Sequence, residues 1–297
     1  MTEGELKLLG RWSSPFVIRV KMMLEQKGLS YVYIEQDLLN KSELLLKHNP
    51  IYKKVPVLIH GDRDICESLV ILQYIDENWS KTGPMFPVDP YERAIARFWA
   101  AYIDDKLLSS FIVIMKAATE EEKAGKIADA HAALAIRIRC CATPRVAHYE
   151  PSDFDRTVHF LRAYQSRLHA RGSLVHWILI KRPEYRATRC VARQRISISA
   201  LELLEGAFMK CAAGKDFFGG DVIGYLDVTL GACLAWIKAV ERISGAKLLD
   251  ETKVPLLMEW VKRFLATDCA KNTLPDVERV EKYGRDLQVT RWNVGFG

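Results

Sequence analysis

Three short stretches hold residues whose types and spacing suit them to chemistry. The first is Arg11-Trp12-Ser13-Ser14-Pro15. Two hydroxyls stand there between a short apolar run and a proline that opens an amphipathic segment. A helix start presents backbone N–H groups with no partner inside the helix. A serine at that point either caps its own helix or steadies an anion brought from outside. These residues alone leave both readings open. The second stretch, Lys53-Lys54-Val55-Pro56-Val57, reads by itself as an edge-strand start behind solvated lysines. The third, Cys66-Glu67-Ser68, reads as a helix cap with an acid in the first turn.

Secondary elements must hold these stretches in place. Residues 6–9 read as a short buried strand. Pro15 suits a first helical turn, where its missing N–H costs nothing. Val17, Val20, Met23 and Leu24 then recur at helical spacing until Gly28 ends the helix. Residues 31–35 form a second strand candidate, and 40–50 a short helix closed by Asn49-Pro50. A hairpin comes next, with 57–60 running up, Gly61-Asp62 turning and 65–66 returning. Residues 67–79 are helical, and 82–90 form a Pro/Gly-rich linker. Beyond the linker every segment has helical period: 89–118 with aromatics on one face, 119–134 with acids in its first turn, 200–211, 225–245 as one apolar helix, 254–266 and 274–287. An α/β half followed by an all-α half implies two domains with a ligand crevice between them.

The bulk composition narrows the class. The chain has 297 residues, 49% of them apolar, enough for proper cores. No apolar run approaches the ~18 residues that span a bilayer, so no membrane segment is expected. The start, with two acids and no long apolar stretch, does not read as a secretory signal. Seven cysteines occur without a Cys-x-x-Cys pair, which points to a reducing compartment, the cytoplasm, and away from disulfides or zinc. The net charge of +6 is unevenly spread. Residues 135–199 hold thirteen Lys+Arg, twelve of them Arg, against four Asp+Glu, which leaves 30 basic and 33 acidic residues of the chain's 43 and 37 for the rest. That shift marks 135–199 as a foreign block. Without it, 128–134 and 200–211 join as one amphipathic helix. Its arginine bias is what an arbitrary reading of GC-rich non-coding sequence gives, and the block is read as translated intron. A nucleic-acid arm, a metal site at Cys140, Cys141 and Cys190, and a lineage-specific loop are its weaker rivals; no nucleic-acid partner is expected.

The element order resembles that of soluble glutathione transferases. "SSPFVIRVKMMLEQKGLSY", "DLLNKSELLLKHNPIYKKVPVLIHGDRDICESLVILQYID", "DPYERAIARFWAAYID" and "FFGGDVIGYLDVTLG" are similar to the tau class of plants. The likeness covers residue 5 to about 134 and about 200 to 287. It implies an α/β thioredoxin-like N-terminal domain over 5–84 plus an all-α C-terminal bundle over 90–287, interrupted by the block at about 135–199. It also implies glutathione as co-substrate, conjugated to a hydrophobic electrophile, with no bound cofactor, metal or prosthetic group, and a homodimer. Peroxidase activity is compatible with it. A non-catalytic carrier of hydrophobic ligands and an inactive retained-intron product are the alternatives.

The resemblance also implies roles for particular residues. The catalytic serine falls on Ser14, with Ser13 ranked second. A free thiol titrates near ~8.5, and lowering that by two units takes about 2.7 kcal/mol of preferential anion stabilisation. The Ser14 hydroxyl and the positive end of the adjoining helix would supply it. Pro56 would be cis, and the backbone of Val55 would pair with the cysteinyl unit. Lys54 and Lys41 would face the glycyl carboxylate. Ser68 would take the γ-glutamyl carboxylate and Glu67 its ammonium group. Trp12, Phe16, Leu38, Tyr102, Ile112 and Trp236 would line the acceptor pocket. Gly224, with Asp227 three residues on, would cap a buried helix and serve folding.

Overall fold

The computed structural model describes residues 5–111 and 183–290. The described residues 5–111 and 194–290 belong to one compact unit, which holds the site. The chain begins with β1 (Leu6–Gly10), α1 (Pro15–Gln26), β2 (Val32–Glu35), α2 (Glu43–His48), β3 (Val57–His60), β4 (Arg63–Cys66) and α3 (Ser68–Asn78). The sheet order is β2-β1-β3-β4, with β1 parallel to β2 and antiparallel to β3, and β3 antiparallel to β4. This is the expected thioredoxin-like arrangement. Side chains alternate across a strand. Leu9, Val57 and Ile59 accordingly form a buried cluster with Leu45 of α2, while Leu8 and Leu58, also buried, point to the opposite face. Gly10 ends β1 where α1 crosses it. A Cβ there would lie 2.6 Å from Val17 Cγ1 and 2.8 Å from the Tyr33 ring, so only glycine fits.

Local chemistry sets the helix limits. Gly28, at φ 62°, turns the chain after α1, and the Leu29 N–H reaches back to the Leu24 carbonyl at 2.9 Å. The Ser42 hydroxyl caps α2 by accepting the Leu45 N–H at 3.1 Å. Asp89 does the same for α4 (Pro90–Tyr102), accepting the Glu92 N–H at 2.9 Å.

The helical part departs from expectation in three places. The long helix after the linker is not uniform. α4 passes into a π-helical segment, Ile103–Leu108, before the helix resumes as far as residue 111. The apolar segment 225–245 is two helices, α6 (Tyr225–Gly231) and α7 (Leu234–Ser244), broken at Ala232-Cys233. Close packing accompanies that break: a Cβ on Gly231 would sit 2.2 Å from the Phe264 ring of α8 (Pro255–Ala266). Finally, α5 (Pro183–Ala212) begins upstream of the expected junction at Ala200, so 183–199, the end of the arginine-rich block, forms one continuous helix with 200–212. Ser197 is already buried there, with its hydroxyl bonded to Ser110. The rest of the block, and the expected helix over 119–134, lie outside the described residues. Short α9 (Asp268–Thr273) and α10 (Val277–Thr290) complete the bundle.

Asp227 organises the start of α6 as expected. Its carboxylate accepts N–H bonds from Gly224, Phe218 and Gly219, each at 2.9 Å, and from the Trp260 indole at 2.7 Å. Gly224 has no side chain to return the bond, so the capping box is one-sided.

Candidate functional site

Strand register gathers the three stretches at one end of the sheet. Leu9 pairs with Val57, and Val57 with Cys66. The turn after β1, the Val55-Pro56 approach to β3 and the Glu67-Ser68 exit from β4 therefore leave adjacent strands at the same edge. Gly10 pairs with Glu35, so the segment after β2, which leads to Lys41, starts there too. Gln36 ties this segment down: its N–H donates to the Gly10 carbonyl at 2.7 Å, and its side chain accepts the Ser42 hydroxyl at 2.5 Å.

The two serines have different surroundings. Ser13 is 4% exposed, and its carbonyl accepts the Trp236 indole N–H at 2.6 Å. Ser14 is half-buried and occupies the N-cap position of α1. Its carbonyl accepts the N–H groups of Val17 and Ile18 at 3.0 and 2.9 Å. Its hydroxyl makes no capping bond. The backbone alone caps the helix, and the Ser14 hydroxyl remains at the helix mouth without a partner among the described residues.

The Val55-Pro56 peptide is cis. Pro56 is buried, and the Val55 side chain packs on the Leu9–Leu45–Val57–Ile59 cluster. Asn49 steadies the approach, donating from its amide to the Lys54 carbonyl at 2.9 Å. Lys54 and Lys41 are exposed and form no ion pair among the described residues. Glu67 is exposed at φ 67°, ψ 113°, a conformation rare for a residue with a side chain, and it makes no side-chain cap. Ser68 is buried as the first residue of α3. Strained backbone of this kind concentrates at functional sites.

The expected acceptor residues separate. Trp12 and Trp236 converge beside the serines. Phe16 is exposed, with the Arg19 guanidinium 5.1 Å from its ring centre. Leu38 is half-buried and packs against the cluster under the sheet. Tyr102 groups with Phe98 and Trp99 on α4, and no ring contact joins it to Trp12 or Trp236 among the described residues. Ile112 lies outside the described residues.

The C-terminal helix supplies what local sequence reasoning missed. Tyr283 of α10 stands edge-on to Trp12, with ring centres 5.5 Å apart, and to Trp236 at 6.3 Å. Its hydroxyl accepts Arg11 Nε at 3.2 Å. Arg279, one turn earlier on α10, lies 3.9 Å over the Trp12 ring. The Glu35 carboxylate accepts the Trp12 N–H, both oxygens at 3.2 Å, and the Tyr33 hydroxyl at 2.5 Å. Burial and that bond push the Tyr33 phenol well above its ordinary range. The helical period of 274–287 was the one sequence signal for Tyr283 and Arg279.

Residues 4–77 match the family model for the glutathione S-transferase N-terminal domain. A probable glutathione S-transferase, GSTU6, of Oryza sativa subsp. japonica is 39% identical over 278 residues, 92% of this chain and 89% of the relative. Glutathione S-transferase U18 of Arabidopsis thaliana is 36% identical over 97% of both chains. The tau-class glutathione S-transferase of mango, Mangifera indica, superimposes with a TM-score of 0.69 at 35% identity, over 96% of this chain and all of that one. The chain belongs to the tau class of glutathione S-transferases. Rice GST1 (OsGSTU1), solved in complex with glutathione, gives a TM-score of 0.67 at 29% identity, over 96% of this chain and 99% of that one. Among the described residues of this tau-class transferase, no helix is long and apolar enough to cross a membrane. No group of His, Cys, Asp or Glu among them is placed to hold a metal ion.

Proposed function

We propose that this transferase holds glutathione along the edge where β1, β3 and β4 end, and that Ser14 stabilises its thiolate for attack on an apolar electrophile. The observation that carries this reading is the half-buried Ser14 at the mouth of α1, its hydroxyl without a partner among the described residues, beside a Ser13 that is buried and held by its backbone carbonyl. A hydroxyl donating to sulfur and the positive end of a 12-residue helix both favour the anion. Val55 offers its backbone to the cysteinyl unit. Ser68 and the start of α3 take the γ-glutamyl carboxylate, and the exposed Glu67 takes the neighbouring ammonium. Lys54 and Lys41, cations without ion-pair partners among the described residues, face the glycyl carboxylate. Trp12, Trp236 and Phe16 give the electrophile apolar surface. In a displacement, the new C–S bond forms as the leaving group departs with the C–X electron pair. The same thiolate attacking a hydroperoxide would release the alcohol and leave a sulfenic acid, which a second glutathione converts to the disulfide and water.

The location and assembly are part of the same reading. The free thiols Cys66, Cys211, Cys233 and Cys269 suit the cytoplasm. Val70 of α3 and Tyr91 and Phe98 of α4 are more than half exposed, which suits a homodimer formed across these helices.

Substitution of Ser14 by Ala tests the central claim. The thiolate absorbance of bound glutathione, measured against pH, should shift upward by one to two units, with kcat/KM at pH 7 falling about 10- to 100-fold. Ser13→Ala should leave the titration in place. An unshifted titration in Ser14→Ala, with conjugation intact, would refute the assignment.

A further inference from the structure

The Arg279 guanidinium is exposed and stacked on Trp12, and it pairs with no carboxylate among the described residues. The acids nearest in the local network are already engaged. Glu35 holds the Trp12 N–H and the Tyr33 hydroxyl. Asp37 accepts the Leu39 N–H at 2.9 Å and the Asn40 amide at 3.2 Å, and lies 3.9 Å from Arg11. Asp276 accepts Arg279's own backbone N–H at 2.9 Å. Glu281 is shared by Arg285 and Arg242. One exposed cation, without a carboxylate partner among the described residues, thus lies on an aromatic wall whose other member, Tyr283, abuts the indole that holds the Ser13 carbonyl.

A guanidinium stacked by its face keeps its in-plane N–H fork free, and that fork matches the two oxygens of a carboxylate. The stacked face is also shielded from water, which strengthens attraction for an anion at the edge. We propose that Arg279 is a specificity-determining residue that selects aromatic electrophiles bearing a carboxylate or sulfonate. The aromatic ring lies against Trp12 and Tyr283, and the anionic group lies on the free edge of Arg279. The inference rests on the reading of Ser14 as thiolate donor, because Trp12 stands two residues from it in the same turn.

Two measurements on the full chain test this. The first is equilibrium binding of naphthoate and of its neutral analogue naphthamide, read by quenching of tryptophan fluorescence. The intact protein should prefer the carboxylate about tenfold, Arg279→Gln should abolish the preference, and Arg279→Lys should keep part of it. The second is conjugation of a chlorodinitrobenzoate against its amide. There the thiolate displaces chloride, which leaves with the C–Cl electron pair. Arg279→Gln should lower the carboxylate-to-amide ratio of kcat/KM about tenfold, mainly through KM. Equal losses on both compounds, or no preference in the intact protein, overturn the assignment. If neither compound is conjugated while naphthoate binding still depends on Arg279, the transferase reading fails and the anion site stands. Thermal melts of both variants separate misfolding from lost recognition.

Discussion

Single residues in this protein are set by whether water or a partner reaches their polar atoms. Ser13 and Ser14 are chemically identical neighbours, yet Ser13 is buried with its carbonyl held by Trp236, while Ser14 is half-buried with its hydroxyl unpartnered among the described residues. The same logic governs the buried titrating groups. Burial pushes the Cys233 thiol up to about 12, the Cys269 thiol to about 11 and the Tyr225 phenol to about 12, from ordinary values of 9.0, 9.0 and 10.0. Between those two sets of values the unfolded chain ionises while the native chain stays protonated. The unfolded state then binds fewer protons, so stability falls as pH rises. Each buried thiol should cost about 1 kcal/mol at pH 10 relative to pH 8. Urea midpoints measured at the two pH values check this, and a midpoint that holds or rises at pH 10 would contradict it.

At the scale of elements, the π-helical segment after α4 has a clear consequence. It carries Asp104, which pairs with the Arg19 guanidinium of α1 at 3.1 and 2.5 Å. The Arg19 side chain is wholly buried, whereas Asp104 keeps 26% of its exposure, and Arg19 Nε has no partner among the described residues. Removing one partner of a buried pair leaves the other uncompensated. The asymmetry of burial predicts an order. Asp104→Asn strands a charge that cannot reach water and should cost about 3 kcal/mol or more, while Arg19→Met strands one that can, and should cost less. Chemical unfolding of the two variants tests this; equal costs, or the reverse order, would count against the argument. π-Bulges are frequent at functional sites. Here the segment's Asp104 fastens the helical part to the helix whose mouth carries Ser14.

The whole molecule depends on contacts between distant parts of the chain. Trp236 reaches Ser13, Tyr283 reaches Arg11, and Cys269 lies against the Met22 carbonyl. Lys27 is buried with Asp76 at 2.7 Å and donates to the Gly83 carbonyl at 2.5 Å, so α1, α3 and the start of the linker are clasped together. The homodimer proposed across α3 and α4, whose Val70, Tyr91 and Phe98 are exposed, makes a prediction at this scale. Light scattering after gel filtration should give twice the mass of one chain, and Phe98→Asp should halve it, because a carboxylate at a closed apolar interface loses its water without gaining a partner. A single-chain mass for the unaltered protein would exclude the dimer.

Much of the N-terminal half was determined by sequence alone. Proline at a helix start, glycine at a helix end, period-two strands and a Gly-Asp turn act over a few residues, so α1, α2, the β3–β4 hairpin and α3 were legible to within a few residues. The one-sided cap of Gly224 by Asp227 was legible for the same reason. The π-helical segment and the break after Gly231 were not: Asp104 of the first pairs with Arg19 and Gly231 lies against Phe264, residues far away in the chain; nor was the upstream start of α5. The candidate site divides in the same way. Its loops were visible as motifs, but that Ser13 is buried and Ser14 half-buried, that Leu38 packs on the cluster under the sheet, and that Arg279 and Tyr283 lie beside Trp12 follow only from the folded chain. Short-range rules fix backbone shape because they involve neighbouring dihedrals and hydrogen bonds. Which side chain keeps a free polar atom depends on what the rest of the chain lays against it, and only the folded molecule decides that.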